Sequence, residues 1–275
     1  MVSWKTATVP DLLINQGIIH DPQAAAELLQ NLITTIKGRK RNFISSITDQ
    51  RLVHRIINIP IVKENLLEET VRRKAKQEFA IPVDESDFSW KIIRQEDNQL
   101  FLFVLAIPKQ IIDQQVSMLK AAGIKLKHLD AKPLALIRSI DRSSAVLVNL
   151  EPHSMSVIIA INRIPVIVRT VPLEGEDFSR EARLDLLAQE LGRTTKFYNE
   201  SNKKNRLPDD TPLFITGKLF NPPEMDQRLE GSVSLSDRLQ TTTSYPIQLP
   251  NPPLKYPENF PVAEYAVNLG AALLS

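Results

Sequence analysis

Strand and helix alternate most clearly in residues 103–139, FVLAIPKQIIDQQVSMLKAAGIKLKHLDAKPLALIRS. The apolar run before Pro108 predicts a strand, and Pro108 then opens a helix that closes at Gly123. A short strand and a second helix, which begins at Pro133, complete the segment. This regular exchange of strand and helix predicts an α/β architecture.

The same exchange continues on both sides of this segment and occurs twice along the chain. We expect a first lobe over residues 1–141 and a second lobe over 142–275, with mostly loop and short strands over 221–261. The predicted elements are a helix from Pro22, strands over 43–48 and 52–59, a helix over 64–79, strands over 88–94 and 100–107, a helix over 108–123, a strand over 124–129, a helix over 133–140, strands over 145–150, 155–161 and 165–171, a helix over 178–199, a strand over 213–216 and a closing helix over 262–274.

The composition limits the classes of function that are open to the chain. It has 275 residues and a net charge of +2, which does not favour a nucleic-acid partner. Cysteine is absent, which excludes thiolate catalysis and cysteine-based zinc or iron–sulfur sites. Only 8 residues are glycine, so the sequence has little material for loops that cradle phosphate. No apolar run is long enough to span a membrane as a helix, and we expect a cytosolic protein.

Five segments, taken in order, resemble the PilM family of type IV pilus assembly proteins, whose fold is actin-like and related to that of FtsA. Together they span residues 17–275 in the order that the family shows. The segments are GIIHDPQAAAELLQNLI (17–33), HRIINIPIVKENLLEETVRRKAKQEFAIPVDESDF (54–88), residues 103–139 quoted above, ELGRTTKFYNES (190–201) and YAVNLGAALLS (265–275).

The resemblance implies a two-lobed, actin-like (ribonuclease H-like) α/β fold with an inserted β-β-α-β-β-α subunit at about residues 42–130. It also implies a non-catalytic cytoplasmic scaffold that is peripheral to the inner face of the cell membrane and is not inserted in it. The implied partner is the cytoplasmic tail of a PilN-like bitopic protein of a type IV pilus or a related type II secretion system, bound in a groove beside the inserted subunit. Self-association and contacts with the pilus motor are further expectations.

The phosphate motifs of the family depart from their pattern in this sequence. The first motif, D-I-G-x-x-x-I-K, is absent, so a missing first hairpin is the expectation unless the true start lies upstream of Met1. The second motif, D-x-G-x-x-x-T, is matched by Asn149-Leu150-Glu151-Pro152-His153-Ser154. Asn149 loses the charge that would face the metal, and Glu151 adds a negative charge where phosphate would lie. Pro152 removes an N–H donor.

The adenosine motif is also reduced, since it normally ends Gly-Gly and only Gly217 survives after Thr216. Glu190 and Arg193 match helix positions that contact adenosine, either as a remnant or as a solvated helix pair. We expect no catalytic residue, no metal and no cofactor. The alternatives are an actin-like switch that binds ATP and Mg²⁺ and a truncated chain that folds poorly. The degenerate remnant comprises Asn149, Glu151, Ser154, Glu190, Arg193, Thr216 and Gly217.

Three other patterns are interpreted structurally. Residues 151–154 are interpreted as a turn between strands in preference to an acid–base set. The basic clusters Lys37–Arg41 and Arg72–Lys74 are interpreted as solvated, in preference to contacts with anionic lipid. Glu68, Glu69 and Glu78 are the expected partners of the second cluster. The four histidines show no spacing typical of a metal site.

Overall fold

The computed structural model of the chain describes residues 3–10, 12–15, 17–36, 42–79, 82–173, 180–219, 239, 241 and 243–274. Strands and helices alternate in it, as the sequence predicts. The elements are β1 (Ile14–Asn15), β2 (Ile18–Ile19), α1 (Pro22–Thr35), β3 (Phe43–Ile47), β4 (Val53–Pro60), α2 (Glu64–Glu78), β5 (Ser86–Glu96), β6 (Gln99–Pro108), α3 (Lys109–Ala121), β7 (Leu126–Ala131), α4 (Lys132–Arg138), β8 (Ala145–Glu151), β9 (Ser154–Ile161), β10 (Ile164–Pro172), α5 (Arg180–Ser201), β11 (Leu213–Thr216), β12 (Ile247–Gln248) and α6 (Ala266–Ala272).

The chain divides into two compact units. The C-terminal unit contains residues 44–50 and 128–275, and the N-terminal unit contains residues 3–43 and 51–127. The region that we expected as an inserted subunit therefore contributes to both units. The lobe boundary expected at residue 141 stays a prediction.

A five-stranded sheet in the order β10-β9-β8-β11-β12 lies at the centre of the C-terminal unit. β10, β9 and β8 are antiparallel, whereas β11 is parallel to both of its neighbours. Residues 145–150 are all buried because helices cover both faces of the sheet. α5 packs on one face through Leu187 and Leu191. α4 and α6 cover the other face through Leu136 and Ala266.

A three-stranded antiparallel sheet in the order β4-β6-β5 lies in the N-terminal unit. β6 is the central strand, which confirms the interpretation of its apolar run as a buried strand. α2 covers one face of this sheet, where Val71 and Ala75 pack in one apolar cluster with Leu102 and Val104. The exposed face of α2 is charged, so the helix is stabilised by the packing of its apolar stripe.

The remaining helices of the N-terminal unit, α1 and α3, pack in a second apolar cluster that includes Ala26 and Leu119. α1 begins where the sequence predicts. The Asp21 carboxylate accepts hydrogen bonds from the backbone N–H groups of Gln23 and Ala24, both at 3.0 Å, and Pro22 occupies the first helical turn.

The connection between β3 and β4 differs from a simple hairpin. The turn expected at 49–51 is a 3₁₀ turn, Asp49–Arg51, and it joins two sheets. β3 pairs with β7, whereas β4 pairs with β6. Neighbouring strands in the sequence are therefore separated in space, which a periodicity argument does not reveal.

Two other elements begin later than expected. β7 begins at Leu126 because the preceding residues still close the end of α3. The N–H of Ile124 donates to the Leu119 carbonyl at 2.9 Å. The closing helix begins at Ala266 because residues 262–265 form turns. Within the loop expected over 221–261, β12 is the one short strand among the described residues, and residues 221–238 lie outside them.

Candidate functional site

β8 and β9 form the hairpin that corresponds to the second phosphate motif, and its polar residues align across the sheet. Asn149 lies opposite Ser156, and Ser156 lies opposite Thr170. Thr216 on β11 lies beside Asn149. Residues that pair directly across strands point to the same face, so these four side chains form one polar row. Asn149, Ser156 and Thr216 are buried.

The polar row is bonded internally. The Thr216 hydroxyl lies 2.9 Å from the Val148 carbonyl oxygen and 3.0 Å from Asn149 Oδ1, so two acceptors share its one proton. The Thr170 hydroxyl donates to Ser156 Oγ at 3.3 Å. Buried polar groups are costly unless they are bonded. The row is thus a satisfied part of the sheet.

Glu151 ends β8 at the mouth of the hairpin, opposite the buried Ser154. Its carboxylate accepts hydrogen bonds within the chain. Asn149 Nδ2 donates to one oxygen at 3.2 Å, and the backbone N–H of Lys218 donates to the other at 3.4 Å. A nucleotide phosphate at this hairpin would need free donors and no neighbouring carboxylate. At this hairpin both of these donors are engaged, and the group that engages them is a carboxylate.

The backbone geometry at position 217 requires a glycine. Its φ is +110°, and a Cβ added to it would lie 2.2 Å from the Leu150 carbonyl oxygen. The backbone after β11 thus passes directly against the backbone of β8. Only glycine allows this approach. Its position is accounted for by strand packing without any nucleotide.

Glu190 on α5 is buried and lies between two arginines. Arg169 Nε on β10 is 2.6 Å from one carboxylate oxygen, and Arg193 Nη1 is 3.0 Å from the other. Only 5% of the Glu190 side chain is exposed, whereas 56% of the Arg193 side chain is exposed. In this helix pair the arginine is therefore solvated and the glutamate is buried. Arg169 was not among the expected site residues. The signal for it is that Arg169 is the single charged residue in the strand 164–172.

The N-terminal unit contains an open groove of about 650 Å³. Its walls come from the start of α1, the 3₁₀ turn Val83–Glu85, the end of β6 and the first half of α3. Three prolines line it, and their rings fix the backbone there. The residues that line the groove include Pro22, Pro82, Pro108, Asp84, Glu85, Lys109, Asp113 and Ser117.

The charges of the groove are predominantly acidic. Asp84 is ion-paired with Lys76 at 2.8 Å, and the hydrogen bond from this ammonium holds the pKa of Asp84 below its usual value. Lys109 Nζ donates to the Asp84 carbonyl oxygen at 3.0 Å. Glu85 and Asp113 are exposed, and neither carboxylate has an ion pair among the described residues. No short motif in the sequence predicts this groove, since the residues of its walls come from segments that are far apart in the sequence.

The charged surface of α2 is paired. Arg72 lies 3.6 Å from Glu68, and Lys74 lies 2.9 Å from Glu78. These pairs confirm the interpretation of the cluster as a solvated helix face, although Glu69, the third expected partner, has no ion pair among the described residues. Residues 37–41 lie outside the described residues. Across the part of the chain that the structure describes, no helix has the length and apolarity needed to cross a membrane.

The remaining expectations concern the turn and metal binding. Pro152 and His153 form the turn between β8 and β9, which confirms the interpretation of residues 151–154. Within the described ranges, no group of three or more histidine, aspartate or glutamate residues could hold a metal ion.

Comparisons with known proteins place the chain in a structural context. A family model described as "Type IV pilus assembly protein PilM" matches residues 3–222. The PilM–PilN type IV pilus biogenesis complex is 21% identical, with a TM-score of 0.72, and covers 98% of this chain and 89% of its own. No curated protein matches.

Two further solved structures are more distant. The cytoplasmic domain of EpsL, an inner-membrane component of the type II secretion system of Vibrio cholerae, is 15% identical with a TM-score of 0.47, over 79% of each chain. The ethanolamine utilization protein EutJ from Carboxydothermus hydrogenoformans is 12% identical with a TM-score of 0.48, over 96% of this chain and 78% of its own.

Proposed function

This chain belongs to the PilM family of type IV pilus assembly proteins, and from that premise we propose that it is a non-catalytic scaffold that binds the cytoplasmic tail of a PilN-like bitopic protein. The family model covers residues 3–222, so the expected family and its actin-like fold are confirmed. The printed name of a related structure is a complex of PilM with PilN. That name supports a PilN-like partner here.

The open groove of the N-terminal unit is the observation that carries this proposal. Most of its walls lie in the region that we expected to border the tail, at about residues 42–130. An extended peptide suits such a groove, because prolines shape rigid apolar walls and the peptide supplies main-chain donors and acceptors. The proposed site of the tail therefore lies between the 3₁₀ turn Val83–Glu85 and α3.

The charges of the groove support a tail with a basic side chain. Glu85 and Asp113 are exposed carboxylates without ion pairs among the described residues, whereas Asp84 is already neutralised by Lys76. A lysine or arginine in the tail would complement them. Exposed complementary charges raise the rate of association and fix the register of a peptide more than they raise affinity.

The hairpin supports the non-catalytic part of the proposal. Hydrolysis of ATP requires donors on the phosphates and oxygen ligands for Mg²⁺. At this hairpin Asn149 is neutral and Glu151 holds the nearby donors. The alternative is an ATP-driven switch, in which ATP would have to displace the Glu151 carboxylate from the Asn149 amide and from the Lys218 N–H. We therefore propose that no nucleotide is required for tail binding.

We further propose that the scaffold is cytoplasmic and peripheral to the inner face of the membrane, held there by the tail of its partner. The ion pairs of Arg72 and Lys74 support this mode, because cations that are already paired have less to offer to anionic lipid. Self-association and contacts with the pilus motor stay proposals that follow from the family.

The test is a titration of a synthetic peptide of the partner's cytoplasmic tail into the intact chain. Ser117 is exposed on α3 and lines the groove, so Ser117→Trp fills it and should weaken binding at least about tenfold. Glu69→Trp, on the exposed face of α2, is the matched control and should leave binding unchanged. Absence of any tail binding to the unmodified chain contradicts the proposed function. Equal binding by both variants contradicts the proposed groove.

A further inference from the structure

The backbone at the end of β11 has no free hydrogen-bond donor over three consecutive residues. Each N–H is bonded to an oxygen of the same chain, and the preceding Thr216 hydroxyl is bonded as well. The pairs are Gly217 N–H with the Ala263 carbonyl at 2.9 Å, Lys218 N–H with Glu151 Oε2 at 3.4 Å, and Leu219 N–H with the Leu150 carbonyl at 3.2 Å. An anion that entered here would find every backbone donor of these three residues engaged.

Glu151 is the one side-chain anion among these acceptors. Its two carboxylate oxygens accept from two different segments, since Asn149 belongs to β8 and Lys218 follows β11. The carboxylate thereby ties the end of one strand to the loop beyond its neighbour. A bound phosphate would use the same kind of backbone donor in the same way.

We propose that the Glu151 carboxylate is a built-in anion, which takes the donors that a phosphate would otherwise bind and closes this end of the hairpin. Two physical effects act together. The carboxylate satisfies the Asn149 amide and the Lys218 N–H, and its negative charge repels any second anion at close range. This inference extends the non-catalytic part of the proposed function. It can fail while tail binding stands, because neither the groove nor the partner takes part in it.

Removing the carboxylate should create an anion site. Glu151→Ala frees two donors, the Asn149 amide and the Lys218 N–H, and removes the negative charge beside them. The Asn149 side chain is buried, but Lys218 is exposed and Glu151 is half-buried, so an anion from solvent can reach the position that the carboxylate leaves. The loss of the tie should also lower the melting temperature in the absence of added anion.

The experiment compares the unmodified chain with Glu151→Ala in inorganic pyrophosphate, by calorimetric titration and thermal melting. Glu151→Ala should bind pyrophosphate at least about tenfold more tightly than the unmodified chain, and pyrophosphate should restore part of its lost melting temperature. Glu200→Ala is the matched control. It removes the same charge from an exposed position on α5, 3.9 Å from Lys196, and should gain no affinity.

A second variant keeps the test decisive if Glu151→Ala does not fold. Glu151→Gln retains an acceptor for one of the two donors and removes the charge, so it should fold and show a smaller gain in pyrophosphate affinity. Equal affinity of Glu151→Gln and the unmodified chain overturns the proposal. So does tight binding of pyrophosphate by the unmodified chain, or a gain in Glu200→Ala that matches the gain in the Glu151 variants.

Discussion

The hairpin end of the C-terminal unit and the groove of the N-terminal unit use their polar residues in opposite ways. At the hairpin, Asn149, Glu151 and Thr216 are bonded to one another or to the backbone. In the groove, Glu85 and Asp113 face solvent with no ion pair among the described residues. Both regions contain residues of a kind that is typical of binding sites. Residues of one chemical type are thus fully bonded in one region of the chain and open to solvent in the other, which is why we propose the groove as the binding site.

The largest difference in stability between the two regions is expected when one glycine of each unit is replaced by alanine. Gly217→Ala places a Cβ 2.2 Å from the Leu150 carbonyl oxygen at a φ of +110°, so β8 and the loop after β11 must separate. We expect a loss of about 3 kcal/mol or more in the free energy of unfolding, measured by urea denaturation.

Gly123 in the N-terminal unit is the matched control for this glycine. It also has a positive φ, +71°, but a Cβ there would meet nothing within 4 Å. Gly123→Ala should therefore cost only about 1 kcal/mol, the strain of the left-handed conformation alone. Equal losses at the two glycines would mean that the close approach at Gly217 does not hold the sheet end together.

The next largest effect concerns ion pairs. In the C-terminal unit, Arg138 contacts the Asp130 carboxylate, of which 4% is exposed, and also donates to the Gly270 carbonyl at 3.0 Å. Arg138→Met leaves this buried carboxylate without its partner and should cost about 3 kcal/mol of unfolding free energy.

The control lies at the rim of the groove. There Lys76 and Asp84 are 48% and 74% exposed, so Lys76→Met should lower the urea midpoint far less than Arg138→Met does. A clear loss in Lys76→Met together with none in Arg138→Met would reverse the ranking of the two regions.

A smaller effect is expected on binding. Asp113→Lys reverses one exposed charge in the groove and should weaken the tail peptide about fivefold at low salt, and less at high salt, without changing stability. Glu69→Lys makes the same change in net charge on the exposed face of α2 and should have no effect on binding. Fluorescence anisotropy of a labelled tail measures both. A loss of the same size in both variants would show that net charge, and not the groove, attracts the tail.

The smallest effect is the pH response of the two paired aspartates. Burial raises the pKa of Asp130 against the opposing effect of Arg138, whereas the hydrogen bond from Lys76 lowers the pKa of Asp84. The contribution of Asp130 to stability is therefore present in acid and lost as the pH rises through its folded-state pKa. The contribution of Asp84 is present above its ordinary pKa and lost as the pH falls through the lowered one.

Carboxyl-carbon NMR titration of the folded chain measures this directly. The two midpoints should fall on opposite sides of the ordinary value of 3.8, with Asp130 above and Asp84 below. Two midpoints on the same side would contradict the difference between a buried and an exposed pair.

The elements of the fold could be predicted from the sequence because they depend on local patterns. Asp21 and Pro22 begin α1, and the apolar run of β6 is central in its sheet. The sequence motif identified several residues of the site, but it did not show which of them contact one another in the folded chain. Glu151 meets Lys218 across 67 positions, which no local spacing encodes. Arg169 joins Glu190 for the same reason, and the groove has walls from four separate segments.

The proposed function depends on whether the chain binds its partner's tail without a nucleotide. The most direct measurement is a calorimetric titration of the tail peptide into the intact chain, with and without ATP and Mg²⁺, after a titration of ATP alone. We expect no heat from ATP and the same dissociation constant for the tail in both conditions. Binding of ATP at micromolar concentration, or a change of about fivefold or more in tail affinity when ATP is added, would contradict it.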